Sequence, residues 1–370
     1  MTGAKVLLAI GSSDIGGGQK VFLSFAQELH RRGVPAVAVM PEGPLVQQVR
    51  PYVETIHIAD LTSVRSLPAI ARILREERAE IINTYLTKCG LLFSLVNLFF
   101  RRRLYCTLLN AVTHEALGPL QCLVYPALYW VLHRLSDGII VNSQQNKQHL
   151  VEAARMDPER VKVIYSGIDI EGFAGQRPRR APNDEFVIGA VGRLSPEKGQ
   201  LYLVRAMAHL RHINCVCLLV GDGPMRQELE GVAKQENVAD RIRFLGFRES
   251  IAEIMNDLDV VVVPSINETF GITIVEAFAL RKMIIASDVG GIPELVRNGQ
   301  TGLLVPAKDS GALAAAIEHA FTHRSECERM GQTGYEFAVA SFTTAAMAGN
   351  TLGYFGFADE PAPKVLSAAQ

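Results

Sequence analysis

The chain has 370 residues, enough for two domains, because a single hydrophobic core stops growing near about 250 to 300 residues. Hydrophobic residues make up 48% of it and charged residues 20%, the composition of an ordinary globular protein. A formal net charge of -1 argues against nucleic acid as a bulk electrostatic partner.

Apolar strand patterns and helical patterns alternate along the first 175 residues. This βα rhythm predicts a parallel sheet with helices on its faces. The first apolar run has only five residues before Gly11, too few for the hydrophobic region of a signal peptide. Strands are predicted at 6–10, 35–40, 54–58, 81–84, 105–110 and within 137–143, and helices up to Gly33 and at 67–77, 90–100 and 120–135.

Two of these helical segments raise the question of a membrane. No apolar stretch approaches the about 20 residues of a spanning helix, so the sequence predicts a cytoplasmic protein. Segments 91–103 and 120–135 are nevertheless apolar with basic residues at their ends, and together they could form a face for peripheral contact with the inner side of a membrane. The alternative is that both helices simply pack on the sheet.

The second half repeats the βα rhythm after a break. Residues 176–184, Q-R-P-R-R-A-P-N-D, have the proline and charge content of an interdomain linker. We therefore predict domains at 1–175 and 183–340, two Rossmann-like parallel-sheet domains facing each other across a cleft, with a loose tail at 359–370. Strands are predicted at 186–191, 215–220, 242–245, 260–263 and 283–287, and a last strand after the turn at 298–306.

Two glutamates in the second half, Glu268 and Glu276, stand eight residues apart. A buried strand is predicted before them at 260–263 and a helix through Glu276, so Glu268 is expected on the loop at the strand's carboxyl end. Open α/β sheets bind ligands at this edge. An ionised Glu276 could accept hydrogen bonds from two neighbouring hydroxyls, such as those of a ribose. The alternative is one loop glutamate and one surface helix glutamate without a site.

The start of the same helix is suited to a phosphate. Helices leave their first N–H groups unpaired, and these groups attract anions, so the backbone of Phe270, Gly271 and Ile272 is a candidate phosphate site. A second candidate follows the strand at 186–191, in G-R-L-S-P-E-K-G. There Arg193 and Lys198 could hold a diphosphate, Arg193 by a fork of donors and Lys198 as a point charge.

These motifs resemble those of retaining glycosyltransferases with the GT-B fold, of the family 4 or group 1 type, which carry an E-x7-E motif and a G-R-x4-K-G motif. The resemblance implies that Glu276 binds the ribose of a nucleotide sugar and that Glu268 binds the donor sugar. It implies a catalytic role for His114, Arg193, Lys198 and Glu268, with a nucleoside diphosphate, UDP or GDP, as the leaving group. It also implies no cofactor and no metal, and a last helix at about 341–358 that crosses back onto the first domain.

In the first domain the resemblance rests on less. The loop G-S-S-D-I-G-G-G-Q-K lacks the G-x-G-x-x-G spacing, but Gly16 and Gly17 match the family's glycine pair, which faces the donor's diphosphate. A flexible tight turn is the alternative. His114 follows a strand where similar proteins place a histidine against the donor sugar, although a lone histidine is often structural. The family's histidine pair near residues 83–85 is missing here, so the acceptor side is unsupported.

Two patterns mimic metal sites. The sequence D-L-D, Asp257 to Asp259, precedes a buried strand rather than following it, so we expect no metal role. Cys215 and Cys217 alternate along a predicted strand and are expected to be buried thiols, because no second pair completes a tetrahedral site.

The resulting prediction is a retaining glycosyltransferase that moves a sugar from a nucleotide sugar to a hydroxyl of a glycan or a lipid-linked acceptor. Bacterial envelope polysaccharide or lipopolysaccharide synthesis is the expected setting. A nucleotide-sugar 2-epimerase, a phosphorylase and a non-catalytic nucleotide-sugar-binding protein share the fold and remain alternatives. A phosphorylase would need a pyridoxal phosphate lysine, which no motif marks.

Overall fold

The computed structural model describes residues 4–14, 16–109, 119–173, 185–248 and 250–357, with side chains from residue 124 onward in the third range. It contains two compact units. The first is formed by the chain up to Ile168 together with the helix after Thr343, and the second by Asp169–Phe342. Each is an α/β domain around a parallel sheet, as predicted.

The first domain has a seven-stranded parallel sheet in the order β3-β2-β1-β4-β5-β6-β7. In register, Val6 of β1 lies between Ala36 of β2 and Ile81 of β4. The strands are β1 Val6–Ile10, β2 Ala36–Met40, β3 Glu54–His57, β4 Ile81–Tyr85, β5 Arg103–Thr107, β6 Gly138–Val141 and β7 Val161–Val163. The helices are α1 Gly17–Arg31, α2 Pro44–Val49, α3 Leu67–Glu77, α4 Thr87–Phe100, α5 Pro119–Leu135 and α6 Gln144–Ala154.

The second domain has a six-stranded parallel sheet in the order β10-β9-β8-β11-β12-β13. Its strands are β8 Phe186–Val191, β9 Cys215–Val220, β10 Ile242–Gly246, β11 Val260–Val263, β12 Met283–Ser287 and β13 Gly302–Val305. Its helices are α7 Ile170–Phe173, α8 Gln200–His209, α9 Arg226–Gln235, α10 Ile251–Asn256, α11 Ile272–Ala279, α12 Ile292–Leu295, α13 Ser310–Thr322 and α14 Arg324–Ser341.

The last described helix, α15 Thr344–Tyr354, belongs to the first domain. It packs against α1, and the hydroxyl of Tyr354 donates a hydrogen bond of 3.0 Å to the carbonyl of Arg160. The guanidinium of Arg103 donates a hydrogen bond of 2.6 Å to the carbonyl of Phe355, whose ring lies 4.5 Å from that of Tyr105. The C-terminal helix is therefore an integral part of the first domain's packing.

The central strands are buried on both faces, which explains their continuous apolar sequences. All five residues of β1 and all four of β11 are buried. Helices cover the sheets through apolar stripes, such as Val21, Phe22 and Phe25 of α1. Each domain thus has a hydrophobic core of its own, and its polar side chains are left for the loops at the strand ends.

Candidate functional site

The site-forming edge of the second domain can be located from its strand order. The order reverses between β8 and β11, because β9 and β10 lie on one side of β8 while β12 and β13 lie beyond β11. Open α/β sheets bind ligands at the carboxyl ends of the strands at such a reversal. The loops after β8 and β11, which carry the two predicted motifs, meet at this point.

The loop after β8 is held by backbone hydrogen bonds to the loop after β9. The N–H of Gly192 donates to the carbonyl of Val220 at 2.9 Å, and the N–H of Leu194 donates to that of Asp222 at 3.0 Å. A Cβ on Gly221 would lie 2.0 Å from the carbonyl oxygen of Gly192, so this close approach requires a glycine. The backbone around Arg193 is therefore fixed in place by its neighbours.

The loop after β11 is tied to the same segment. The N–H groups of Ile266 and Asn267 donate to the carbonyl of Glu197, at 2.8 and 3.2 Å. Gly199 has a φ of +64°, and a Cβ there would lie 2.0 Å from the carbonyl oxygen of Pro264. The two motif loops are thus joined through their backbones, and the glycine that closes G-R-x4-K-G is required by this contact.

The loop after β12 supports Glu268 from the other side. The N–H of Gly291 donates a hydrogen bond of 3.0 Å to the carbonyl of Glu268. A Cβ on Gly290, whose φ is +61°, would lie 1.7 Å from that carbonyl oxygen. Any other residue at position 290 would therefore displace the backbone of Glu268, which makes Gly290 a positioning residue for the site.

The two motifs also meet through their side chains. The Nζ of Lys198 donates to Oε2 of Glu268 at 2.5 Å, and the Glu268 side chain is mostly buried while that of Lys198 is one-third exposed. The Cγ of Glu268 lies 3.5 Å from the position of a Cβ on Gly271. A cation, a carboxylate and the start of α11 are therefore contiguous, and charge-assisted hydrogen bonds of this kind are strong and directional.

The other residues of the E-x7-E segment lie as follows. Gly271 has a φ of +92° immediately before α11, a conformation that favours glycine. Ile272 is the first residue of α11, where N–H groups lack partners within the helix. Phe270 is buried and packs its ring edge-to-face on Phe342 at 5.9 Å. Glu276, within α11, is only 3% exposed.

Arg193 is exposed. Within the described ranges of the chain its guanidinium has no hydrogen bond or ion pair, in contrast to that of Lys198, whereas its backbone is anchored. A side chain of this kind can reorient towards an arriving anion. The structure thus brings Lys198, Glu268 and Gly271 together, and Arg193 is exposed on the anchored loop after β8.

The first-domain candidates lie at the equivalent edge of the other sheet. Gly16 precedes α1 with extended backbone, φ -152°, and Gly17 begins the helix. Among the described residues, a Cβ on Gly16 would meet the end of the Gln19 side chain, with Oε1 at 3.0 Å, so these neighbours do not require glycine there. His114 lies outside the described residues. At the position of the family's histidine pair, Asn83 is buried and accepts a hydrogen bond of 2.9 Å from Thr107.

The D-L-D sequence has a structural role at the opposite edge of the second sheet. A carboxylate oxygen of Asp259 accepts a hydrogen bond of 2.7 Å from the N–H of Val187, and the other oxygen faces Arg324 at 3.7 Å. Asp257 caps the end of α10. Among the residues that the structure describes, no group of three or more His, Cys, Asp or Glu side chains is arranged to hold a metal ion. Cys215 and Cys217 are buried, free thiols.

Two polar residues that sequence reasoning missed lie in the same loops. Gln200 is buried and donates from Nε2 to the carbonyl of Arg193 at 3.0 Å, while its Oε1 is buried without a partner in the described chain. Ser265 is also buried, and its Oγ has no partner among the described residues. Their proximity to the two motifs in the sequence was the available signal, since a buried polar atom without a partner is rare.

Comparison with known proteins agrees with this geometry. Residues 15–171 match the family model Glycosyltransferase Family 4, and residues 175–337 match Glycosyl transferases group 1. Anabaena HepE, solved in complex with UDP and glucose, superimposes with a TM-score of 0.84 at 24% identity and covers 96% of this chain and 100% of that one. Sucrose-phosphate synthase from Thermosynechococcus elongatus gives 0.80 at 23% identity, with 95% and 98% covered. The two family models together span most of the chain, which belongs to the family 4 and group 1 glycosyltransferases. The likeness to the solved structures shows the GT-B fold.

Among curated relatives, a D-inositol 3-phosphate glycosyltransferase of Stackebrandtia nassauensis is 34% identical over 240 residues, which is 60% of this chain and 54% of that protein. One from Corynebacterium glutamicum is 34% identical over 232 residues, 58% and 55% of the two chains. The chain spans about half the length of the relatives it matches.

Proposed function

We propose that this protein is a retaining glycosyltransferase that moves a sugar from a nucleoside diphosphate sugar to an acceptor hydroxyl. The observation that carries the proposal is the contact of Lys198 with Glu268 at the strand-order reversal, beside Gly271 and the start of α11. A cation and helix N–H groups suit a diphosphate, and a mostly buried carboxylate suits the hydroxyls of a sugar. HepE, with the same fold, is solved with UDP and glucose and with UDP-glucose, which supports a UDP-linked donor; GDP remains the second candidate.

In the proposed reaction, the bond between the anomeric carbon and the diphosphate oxygen breaks while the acceptor oxygen bonds to the same face of that carbon. The acceptor's proton passes to an oxygen of the departing phosphate. Lys198, Arg193 and the N–H groups of Phe270, Gly271 and Ile272 stabilise the negative charge that develops on the leaving group. Glu276 holds the ribose, Gly16 and Gly17 approach the diphosphate, and His114 contacts the sugar.

The Lys198–Glu268 pair adds a feature to these roles. Before the donor binds, each charge partly neutralises the other, so Lys198 is held in position without attracting other anions strongly. When the donor arrives, its phosphate competes with Glu268 for Lys198, and the sugar hydroxyls replace Lys198 as donors to Glu268. Donor binding thus replaces the Lys198–Glu268 contact by two others, phosphate to Lys198 and sugar hydroxyls to Glu268. A free diphosphate without sugar forms the contact to Lys198 and leaves Glu268 without its new partner.

For the acceptor, we propose a hydroxyl of a glycan or a lipid-linked glycan, as in envelope polysaccharide or lipopolysaccharide synthesis, with the protein on the cytoplasmic side and in peripheral contact with the membrane. The five free cysteines in the described chain support a reducing compartment. No described helix is long and apolar enough to cross a bilayer. A second candidate acceptor is a phosphorylated polyol, favoured by the 34% identity to D-inositol 3-phosphate glycosyltransferases.

The test is turnover with a panel of UDP and GDP sugars, each supplied with D-inositol 3-phosphate, with lipid-linked glycans or with no acceptor. Mass spectrometry should show a product that has gained one sugar, and NMR should show the donor's anomeric configuration in it. Release of an altered sugar without acceptor would instead identify an epimerase. Binding of a donor with no product from any acceptor would support a non-catalytic binding protein and contradict transfer.

A further inference from the structure

The outer faces of α4 and α5 in the first domain carry an unusual concentration of exposed apolar side chains. Eight large hydrophobic side chains are exposed in the described part of the chain, and five of them lie on these two helices: Leu95, Leu98, Phe99, Val124 and Trp130. Phe99 is 88% exposed, more than any of the others. Scattered single apolar residues are normal on protein surfaces, whereas a cluster on neighbouring helices marks an interaction surface.

The pattern along each helix places its exposed residues on one face of that helix. On α4 the exposed residues Lys88, Leu95, Leu98 and Phe99 recur at helical spacing, while the opposite face, including Leu92 and Phe93, is buried. A helix packed on a core normally exposes polar residues to water. In contrast, α4 has apolar residues on its exposed face as well as on its buried face. On α5 the exposed residues Val124, Ala127, Trp130 and Arg134 likewise follow one face.

The topology of the sheet places the two faces side by side. Strands β4, β5 and β6 are consecutive neighbours and parallel, and α4 and α5 are the connections between them. Right-handed crossovers put both helices on the same side of the sheet, running in the same direction, and the two pack against each other. The side chain of Leu132 on α5 lies 3.1 Å from the position of a Cβ on Gly90 of α4. Trp130 is therefore nearest the first turns of α4, and Leu95, Leu98 and Phe99 follow further along that helix.

The charged residues on the two helices themselves have one sign. Residues 81–136 contain five Lys or Arg against a single Glu, and neither α4 nor α5 contains an acidic residue, in a chain whose net charge is -1. Arg101 is exposed at the end of α4, and Arg134 lies over the Trp130 ring at 5.1 Å. Arg103 is directed elsewhere, since its guanidinium binds the carbonyl of Phe355. Lys88, Arg101 and Arg134 thus border the apolar cluster.

From this arrangement we propose that the α4/α5 surface, consisting of Leu95, Leu98, Phe99 and Trp130 with Arg101 and Arg134, docks on an anionic lipid bilayer. Apolar side chains enter the boundary between headgroups and acyl chains, a tryptophan favours that interface, and the arginines attract anionic headgroups. A second copy of the chain is a poor occupant of the same surface, because face-to-face pairing would bring the arginines of both copies together without carboxylates between them.

Tryptophan fluorescence can test this proposal, because Trp130 is the single tryptophan of the chain and lies on the α4/α5 surface. Fluorescence of the full-length protein is measured with vesicles of phosphatidylcholine alone and of phosphatidylcholine mixed with phosphatidylglycerol. With the mixed vesicles, we expect a blue shift of the emission and quenching by brominated acyl chains, and both should weaken at high salt. Equal response to both vesicle types, or no response to either, would overturn the proposal.

Variants identify the surface. Phe99→Ser and the double change Arg101→Glu with Arg134→Glu should each lower the affinity for mixed vesicles at least about tenfold, as expected for losing an inserted aromatic ring or reversing two charges near the bilayer. Val64→Ser and Arg50→Glu are the matched controls, since both residues are exposed in the same domain but lie outside this surface. Controls that lose as much binding as the surface variants would contradict the assignment.

Two further results distinguish other occupants. Sedimentation without lipid that shows self-association, abolished by Phe99→Ser, would assign the surface to a second copy of the chain and refute the bilayer. The vesicle measurement needs neither donor nor acceptor. Its failure would leave the proposed transferase reaction intact, and a failed transfer assay would leave the vesicle result intact.

Discussion

The carboxyl edges of the two sheets differ in how they are built. In the second domain the loops after β8, β9, β11 and β12 are joined by backbone hydrogen bonds, glycine contacts and the Lys198–Glu268 pair. In the first domain the loop after β1 is tied to the β2 loop through Ser13, whose hydroxyl donates to the carbonyl of Pro41 and whose carbonyl accepts from the N–H of Leu45 at 3.2 Å. In the middle of β4, the buried Asn83 accepts a hydrogen bond from Thr107.

This difference bears on which substrate the chain itself specifies. A charged group of the second-domain edge is held in place before any ligand arrives, which reduces the entropy cost of binding a diphosphate. The described edge of the first domain has buried neutral groups, and its charged side chains Asp14, Glu42, Asp60 and Lys88 are all exposed. We infer that donor recognition is encoded in the rigid edge, and that acceptor recognition depends on features that vary between family members.

Lys198→Ala should have the largest effect. It removes a charge-assisted contact worth about 1.5 to 3 kcal/mol and leaves the Glu268 carboxylate unpaired where the diphosphate binds. Turnover should fall at least about tenfold, and more than in Arg193→Ala, which leaves no partner behind. Steady-state kinetics with the donor, and a thermal melt to verify folding, measure this. Lys234→Ala, an exposed lysine on α9, is the control. Wild-type kinetics in Lys198→Ala would refute the clamp.

Gly16→Ala tests whether the first-domain edge also contacts the donor. The backbone of Gly16 is extended, and a Cβ there would meet the flexible end of the Gln19 side chain, which can move away, so alanine should leave the melting temperature unchanged. If the diphosphate approaches closely, the added methyl should weaken donor binding several-fold, a cost of about 1 kcal/mol. Calorimetry with UDP measures it. Unchanged affinity would show that the donor is recognised by the second domain alone, which would sharpen the contrast between the two edges.

The Asp257 and Asp259 pair separates a structural role from a metal role. Asp259→Asn should destabilise the second domain by about 1 kcal/mol, because the hydrogen bond to Val187 and the pairing with Arg324 lose their charge. Asp257→Asn should change stability by less than about 0.5 kcal/mol. Both variants, and the wild-type protein in EDTA, should retain transfer. Loss of activity in EDTA that manganese restores would reverse the interpretation of D-L-D.

Much of the fold was predictable because buried parallel strands are continuous apolar runs. The observed bounds of β9, β11, β12 and α3 equal the predicted ones. Strand β5 begins at Arg103, two residues earlier than predicted. The prediction was wrong here because the three arginines at 101–103 were interpreted as a break between the helix and the strand. The side chain of Arg103 leaves the strand to bind Phe355, a contact between positions 252 residues apart that the local pattern cannot show.

The site was predictable to the level of residue types and loops. The sequence placed Lys198 and Glu268 on loops at strand ends, but it could not show that they pair with each other across 70 positions. The need for glycine at positions 199 and 290 depends on the carbonyl groups of Pro264 and Glu268, which only the folded chain brings close. The burial of Glu276 was likewise hidden, because its helix is apolar on more than one face.

The most direct test of the account is calorimetry with free UDP, or with GDP if UDP does not bind, on two glutamate variants. Glu276→Gln should weaken the free diphosphate and the nucleotide sugar by similar factors, the signature of uniform binding. Glu268→Gln should bind the free diphosphate at least as tightly as the wild type, since Lys198 is released, while transfer falls. Glu228→Gln, an exposed glutamate of α9, is the control. If Glu268→Gln weakens the free diphosphate as much as Glu276→Gln does, the division of roles between the two glutamates is contradicted.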